Sequence, residues 1–193
     1  MILWSIQPKE VLSIIESGKP FRCDGRKAEC LRSKNMGRWA PGGWDSTFHK
    51  PYKWMVQQMK DRGIQKDNRY PVWGWYKYYD SKYRPPPISK MQKYCEGQYR
   101  LKLDVPDELV LLSDWSTWHE PLNNMFCGSD KYVLKMMSVE ENRTWSPEKL
   151  ERLKLKSWQK VFDIDLDNLK DWQGVQACFP SIKPEYLIKA ERI

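Results

Sequence analysis

Histidine is almost missing from this chain of 193 residues, which has two, and the five cysteines at Cys23, Cys30, Cys95, Cys127 and Cys178 are scattered without a C-x-x-C pair. That scarcity argues against a zinc site and against a disulfide framework, both of which need partners at regular spacing. Long apolar runs are missing too. No stretch approaches the roughly 20 residues that cross a bilayer, and the first residues lack the basic start and apolar core of a secretion signal. The expectation is one cytoplasmic domain over residues 1–193 with no membrane contact. Asp163, Asp165 and Asp167 imitate the start of a calcium loop, but Asn168 stands where its glycine belongs and Gly174 where its closing glutamate belongs. They read as a solvated loop. Absent as well are G-x-S-x-G, the Walker A loop, the dinucleotide glycine fingerprint and H-E-x-x-H, so the enzyme classes built on them have no motif support.

What is present is unevenly spread. Residues 1–100 hold 20 Lys and Arg against 9 Asp and Glu, a balance of +11, whereas residues 101–193 hold 13 against 16, a balance of −3. The basic half also carries Trp39, Trp44, Trp54, Trp73 and Trp75 with Tyr70, Tyr76, Tyr78, Tyr79 and Tyr83. Bases stack on such rings and lysine or arginine meets phosphates, so a nucleic-acid contact is one reading. A tryptophan-rich core with a solubilising surface is the other.

Periodicity supplies the elements. Met1 to Ile6 reads as a strand, and Pro8 suits the first turn of a helix whose stripe is Val11, Leu12, Ile14 and Ile15 and whose stop is Gly18. Residues 19–50 are basic and broken by Gly25, Gly37, Pro41, Gly42 and Gly43; a loop this long points to a covering or target-binding segment. Tyr52, Met55, Val56 and Met59 predict a helix ending at Gly63, and YPVWGWYKYY alternates as a strand, closed by Pro85 to Pro87. RLKLDVP alternates as a half-exposed strand. LVLLSDWSTWHEPLNN passes from a buried run into a helix start, with Thr117 and Glu120 at capping-box spacing and Pro121 in the first turn. Ser146 and Pro147 open another helix, and VQACFPSIKPEYLIKAERI reads as two short strands joined by a proline turn. The whole is an α+β domain.

The densest polar constellation is Ser113, Asp114, His119, Glu120, Asn123 and Asn124, following a buried strand and set among tryptophans. A histidine and carboxylates at a strand end are suited to acid–base work; the plainer reading is that Asp114 and Thr117 cap a helix and His119 bonds a carbonyl. The opening MILWSIQPKEVLSIIESGKPF resembles the first unit of the ADP-ribosyltransferase superfamily, a strand with a polar NAD-contacting residue after an aromatic one, followed by a short helix. Ser5 takes the place of that family's arginine or histidine. Over its whole length the sequence also looks like a bacterial domain-of-unknown-function family, through LWSIQ, YPVWGWYKY, LLSDWSTWH, LNN, KSWQKVF and VQACF.

The transferase resemblance implies two small antiparallel sheets split around an NAD cleft, an aromatic strand after Tyr70 against the nicotinamide, and a late strand delivering a catalytic glutamate. In VQACF that place falls to Gln176 or Cys178, with Glu185 and Glu191 further on. Glutamate serves because breaking the bond to nicotinamide leaves a cationic sugar that a carboxylate stabilises. Gln176 is able to hold the ribose but brings no charge, so either Asp114 or Glu120 substitutes or NAD is bound without turnover. The resulting expectation is an NAD-using ADP-ribosyltransferase-like protein, by analogy a toxin or phage-defence effector acting on a nucleic acid or protein, with an antitoxin as a further partner. Ser5, Gln7, Trp73, Trp75 and Tyr76 contact the cofactor; Asp114, His119 and Gln176 are the catalytic candidates. The alternative is a non-catalytic RNA- or DNA-binding domain that meets phosphates through Arg22, Arg26, Lys27, Arg32, Lys34 and Arg38.

Overall fold

A computed structural model describes residues 1–24, 49–79 and 84–193. Strand β1 (Ile2–Gln7) runs into Pro8, whose extended backbone makes it the residue before the helix α1 (Lys9–Glu16) rather than its first turn. Val11, Leu12 and Ile15 point inward at helical spacing, and the chain leaves through Gly18 at φ +79°, a left-handed conformation that glycine adopts without a Cβ penalty. Next come α2 (His49–Asp61), which buries Met55, Val56 and Met59, and β2 (Val72–Lys77). The remaining elements are α3 (Ile88–Cys95), β3 (Tyr99–Asp104), β4 (Leu111–Asp114), α4 (Trp115–Leu122), α5 (Asp130–Glu141), α6 (Pro147–Ser157), β5 (Val175–Phe179) and β6 (Leu187–Arg192). No helix among the described residues is long and apolar enough to cross a membrane.

The six strands form one antiparallel sheet in the order β4-β5-β2-β1-β3-β6. Its continuity is uneven. β1 meets β3 over six residue pairs from Ile2↔Asp104 to Gln7↔Tyr99, and β2 meets β5 over five from Val72↔Phe179 to Lys77↔Val175. Between β1 and β2 the register holds one pair, Trp4↔Trp75. The two separate small sheets that the transferase resemblance implies are therefore one six-stranded sheet, whose halves β4-β5-β2 and β1-β3-β6 meet along a narrow seam. Gly74 permits even that approach, because a Cβ there would lie 3.1 Å from the Trp4 carbonyl oxygen and 3.3 Å from the Phe179 ring.

Alternation along the strands gives the sheet two unlike faces. One is mostly aliphatic: Leu3, Leu101, Leu103 and Ala177, with Phe179, are fully buried and pack with Val11, Leu12 and Ile15 of α1. The other is aromatic. Over the β4-β5-β2 half, Trp73, Leu111 and Cys178 pack beneath Met55 and Met59 of α2, Trp118 of α4 and Trp158. Over the seam, Trp75 and Ile6 pack with Ile88 and Met91 of α3 and with Tyr78.

Two further sequence expectations are corrected. The helix after β4 starts at Trp115 with Asp114 as its N-cap, so Thr117 is inside the first turn and Pro121 sits in the last turn, where it helps end the helix at Asn123. The two C-terminal strands do not form a hairpin: β5 lies between β4 and β2, whereas β6 crosses to the opposite edge beside β3. Helices α3 and α5 had no sequence counterpart; α5 buries one residue, Met136, and so has almost no apolar stripe to read.

Candidate ligand-binding face at the sheet seam

The seam is closed at both ends by side chains. On one side Ser5, fully buried, donates from Oγ to the Trp73 carbonyl at 2.7 Å, and Gln7 Nε2 donates to Ser5 Oγ at 2.7 Å. These bonds take the place of the ladder that β1 and β2 lack there. On the other side Arg84 donates from Nε to the Tyr76 carbonyl and from Nη2 to the Ile2 carbonyl, both at 3.0 Å, with its guanidinium 3.9 Å from the Tyr76 ring centre. Arg84 thus bridges the two halves, a role with no sequence signal beyond its place before the triple proline. Of the expected cofactor residues, Ser5 and Tyr76 fall on the aliphatic side by alternation, while Trp73 and Trp75 fall on the aromatic side.

The aromatic side brings distant residues together. Trp75 pairs directly with Gln176 across β2 and β5, and Gln176 pairs with Ser113 across β5 and β4. Such cross-strand neighbours point to one face with Cβ atoms about 4.5–5.5 Å apart. Gln176 is 9% exposed and Ser113 0%, yet among the described residues Gln176 Oε1 and Ser113 Oγ have no hydrogen-bond partner, and neither has Trp73 Nε1. Buried polar atoms are nearly always paired, so three orphans on one face mark it as different from an ordinary core. The rim is aromatic. Trp75 lies 5.1 Å from Trp115 and 5.9 Å from Tyr79, and Tyr79 stacks on Trp115 at 5.7 Å and 15°. Gly174 makes that rim fit: a Cβ would lie 2.8 Å from Tyr79 Cβ and 3.0 Å from Trp115 Cβ, and its carbonyl accepts from Trp115 N at 2.9 Å.

Beneath the rim, Lys77 is buried and donates to the carbonyls of Lys170, Asp171 and Gln173 at 2.7–2.9 Å, fastening the loop that leads into β5. Burial pushes its amine below the usual lysine value, offset in part by Asp171. Lys77 is a staple for β5, a function that its place in an alternating strand could not reveal.

The polar candidates of α4 are arranged as a cap and a rim. Asp114 Oδ1 accepts from Thr117 N at 2.8 Å and Thr117 Oγ1 at 2.9 Å, and its Oδ2 accepts from Gln173 Nε2 at 3.0 Å. It is held in place one residue beyond Ser113. His119 is exposed, with its ring 4.4 Å from that of Trp115, and its Nδ1 lies 2.9 Å from the Trp115 carbonyl. A carbonyl only accepts, so in the neutral ring Nδ1 carries the proton and Nε2 is the basic nitrogen. Glu120 lies elsewhere, near Cys127, whose thiol it helps burial push up to about 12. Glu191 belongs to the far half, paired with Arg100 at 2.7 Å. Cys178 is fully buried and its thiol is driven well above the usual value by desolvation, which removes it as a thiolate nucleophile. Among the described residues no His, Cys, Asp and Glu cluster is built to hold a metal.

Of the expected phosphate contacts, Arg22 lines a cavity of about 440 Å³ with Lys66 and Lys183 and lies 3.8 Å from Asp67. Arg26, Lys27, Arg32, Lys34 and Arg38 lie outside the described residues, as does most of the expected loop over 19–50.

Taken together, the fold and face define an α+β protein with a six-stranded antiparallel sheet joined at a one-pair seam and an aromatic, partly unsatisfied polar face beside it. Residues 2–188 match the family described as "Domain of unknown function (DUF3841)", and the chain belongs to that family. No curated protein and no solved structure matches it.

Proposed function

We propose that this chain is an ADP-ribosyltransferase-like protein that binds NAD on the aromatic side of the seam and transfers its ADP-ribose to a nucleic acid or protein, in the manner of a toxin or defence effector. One observation carries the reading: the Trp75↔Gln176 pairing. The resemblance of the opening unit calls for an aromatic strand and a late strand that meet at a divided sheet, and these two residues, 101 positions apart, are cross-strand neighbours beside a seam of one pair. The residues suit the ligand: a planar ring stacks on Trp75, and the buried orphans on Gln176 and Ser113 are polar groups awaiting partners.

NAD supplies a glycosidic bond whose electron pair leaves with nicotinamide while the acceptor atom bonds to the sugar carbon. The protein's part is to orient that bond and to manage one charge and one proton. Gln176 is neutral, so the reading assigns the negative charge to Asp114, one residue after Ser113 on β4 and held rigid by Thr117 and Gln173. His119 Nε2, at the exposed rim beside Trp115, takes the acceptor's proton.

Calorimetry with NAD and release of nicotinamide from labelled NAD, with and without a mixed RNA, DNA and protein extract, test this. Asp114→Asn is expected to cut turnover by roughly a hundredfold with NAD affinity nearly unchanged, and His119→Ala to do likewise. Absence of both NAD binding and nicotinamide release overturns the reading and leaves the tryptophan-rich face to nucleic-acid binding, which titration with short oligonucleotides at low salt detects.

A further inference from the structure

We infer that Ser113 and Gln176 act together as a reader of the nicotinamide carboxamide, so that the site distinguishes an amide from an acid at that position; this rests on the NAD reading above. Three observations lead there. First, Ser113 Oγ and Gln176 Oε1 are both buried, both without a partner among the described residues, and belong to residues facing each other across β4 and β5. Second, their chemistry is complementary to an amide: Gln176 Oε1 only accepts, whereas the Ser113 hydroxyl is free to donate. A carboxamide offers an N–H to the first and a carbonyl oxygen to the second. Third, Gln176 flanks Trp75 directly across the strand. A group bonded to Gln176 therefore lies beside the plane of a ring stacked on Trp75, which is where that ring's own substituent projects.

The same geometry rejects a carboxylate. Nicotinic acid presents two acceptor oxygens and a negative charge, which leaves Gln176 Oε1 facing another acceptor in a buried place. Trp73 Nε1, the third orphan on this face, is a donor only and sits one rung further along β2. The sequence placed Ser113 in a polar cluster but offered no reason to single it out, because the pairing with Gln176 spans 63 residues.

The test is calorimetry of the full chain with NAD and with nicotinic acid adenine dinucleotide. Wild-type protein is expected to bind NAD roughly tenfold or more tightly than the acid form, since a site built around hydrogen bonds discriminates strongly against a group that cannot make them. Ser113→Ala is expected to lose most of that preference through weaker NAD binding. It removes an atom that has no partner in the fold, so thermal unfolding is expected at the same temperature or higher; a merely structural serine would lower it. Gln176→Glu, which presents acceptors alone, is expected to sharpen the preference for NAD. Equal affinity of wild-type protein for both dinucleotides, or full discrimination retained by folded Ser113→Ala, overturns this inference while the NAD reading stands. Failure of both dinucleotides to bind overturns the two together.

Discussion

The two faces of the sheet are made from the same strands and serve different ends. Under α1 the surface is aliphatic and closed, with Leu3, Leu101, Leu103, Ala177 and Phe179 fully buried. On the reverse, aromatic rings stack at angles and three buried polar atoms have no partner among the described residues. Alternation forces this division, since each strand must put successive residues on opposite sides. One face stores stability, and the other carries unmet hydrogen-bonding capacity that a ligand is suited to satisfy. An unsatisfied buried group in a native fold marks strain, a bound water or ion, or a place of binding or reaction.

That contrast breaks most sharply at Leu101. Leu101→Ala on the closed face is expected to cost about 2–5 kcal/mol of unfolding free energy in a urea titration, because a fully buried methyl pair leaves a cavity that the packed strands cannot fill. Trp75→Ala on the aromatic face is expected to act mainly on ligand affinity, by about 1–3 kcal/mol measured by calorimetry with NAD. A larger stability loss for Trp75→Ala than for Leu101→Ala would erase the distinction between the faces.

The seam joins the two regions, and Ser5 is its finest test. Ser5→Ala leaves the Trp73 carbonyl and the Gln7 amide without their shared partner, at about 1–3 kcal/mol by chemical denaturation. Amide exchange is expected to rise along β1 and β2 before it rises in β3. Uniform loosening of the sheet would mean that the halves are not distinct.

The smallest effect lies at the far edge. Arg100 and then Lys189 hold the Glu191 carboxyl below the usual glutamate value of 4.5 by hydrogen bonding to it. The unfolded chain therefore takes up this proton at a higher pH than the fold does, so the stabilisation is whole above the unfolded value and disappears as pH falls through the folded one. Glu191→Gln is expected to flatten the acid decline below about pH 4.5 by about 1 kcal/mol or less, read from unfolding midpoints between neutral and acid pH. An unchanged decline would place the acid sensitivity in other carboxylates.

Much of this was legible in the chain itself. The strand at Ile2–Gln7, the helix Lys9–Glu16 with its glycine stop and the alternating VWGWYK were readable because period and capping act over a few residues. Among the candidate site residues, Trp73, Trp75 and Gln176 were visible as residue types in strands, and Asp114 and His119 as part of a polar cluster after one. What each one does was not. Asp114 caps α4 and accepts from Gln173, and Ser5 and Gln7 give their polar atoms to the seam. Arg84, Gly174 and Lys77 had no local signature, since their partners lie 82, 95 and 93–96 residues away.

The sequence by itself determined an α+β chain, the positions of most strands, the basic first half and the absence of familiar catalytic motifs, all of which follow from composition and short-range pattern. Only the tertiary structure decided that β5 inserts between β4 and β2, that β6 crosses to the other edge, and that β1 and β2 touch at one pair. Strand pairing is a long-range choice made by burial and register together, and from that choice alone come the meeting of Trp75, Gln176 and Ser113 and the orphaned atoms on which the functional reading rests.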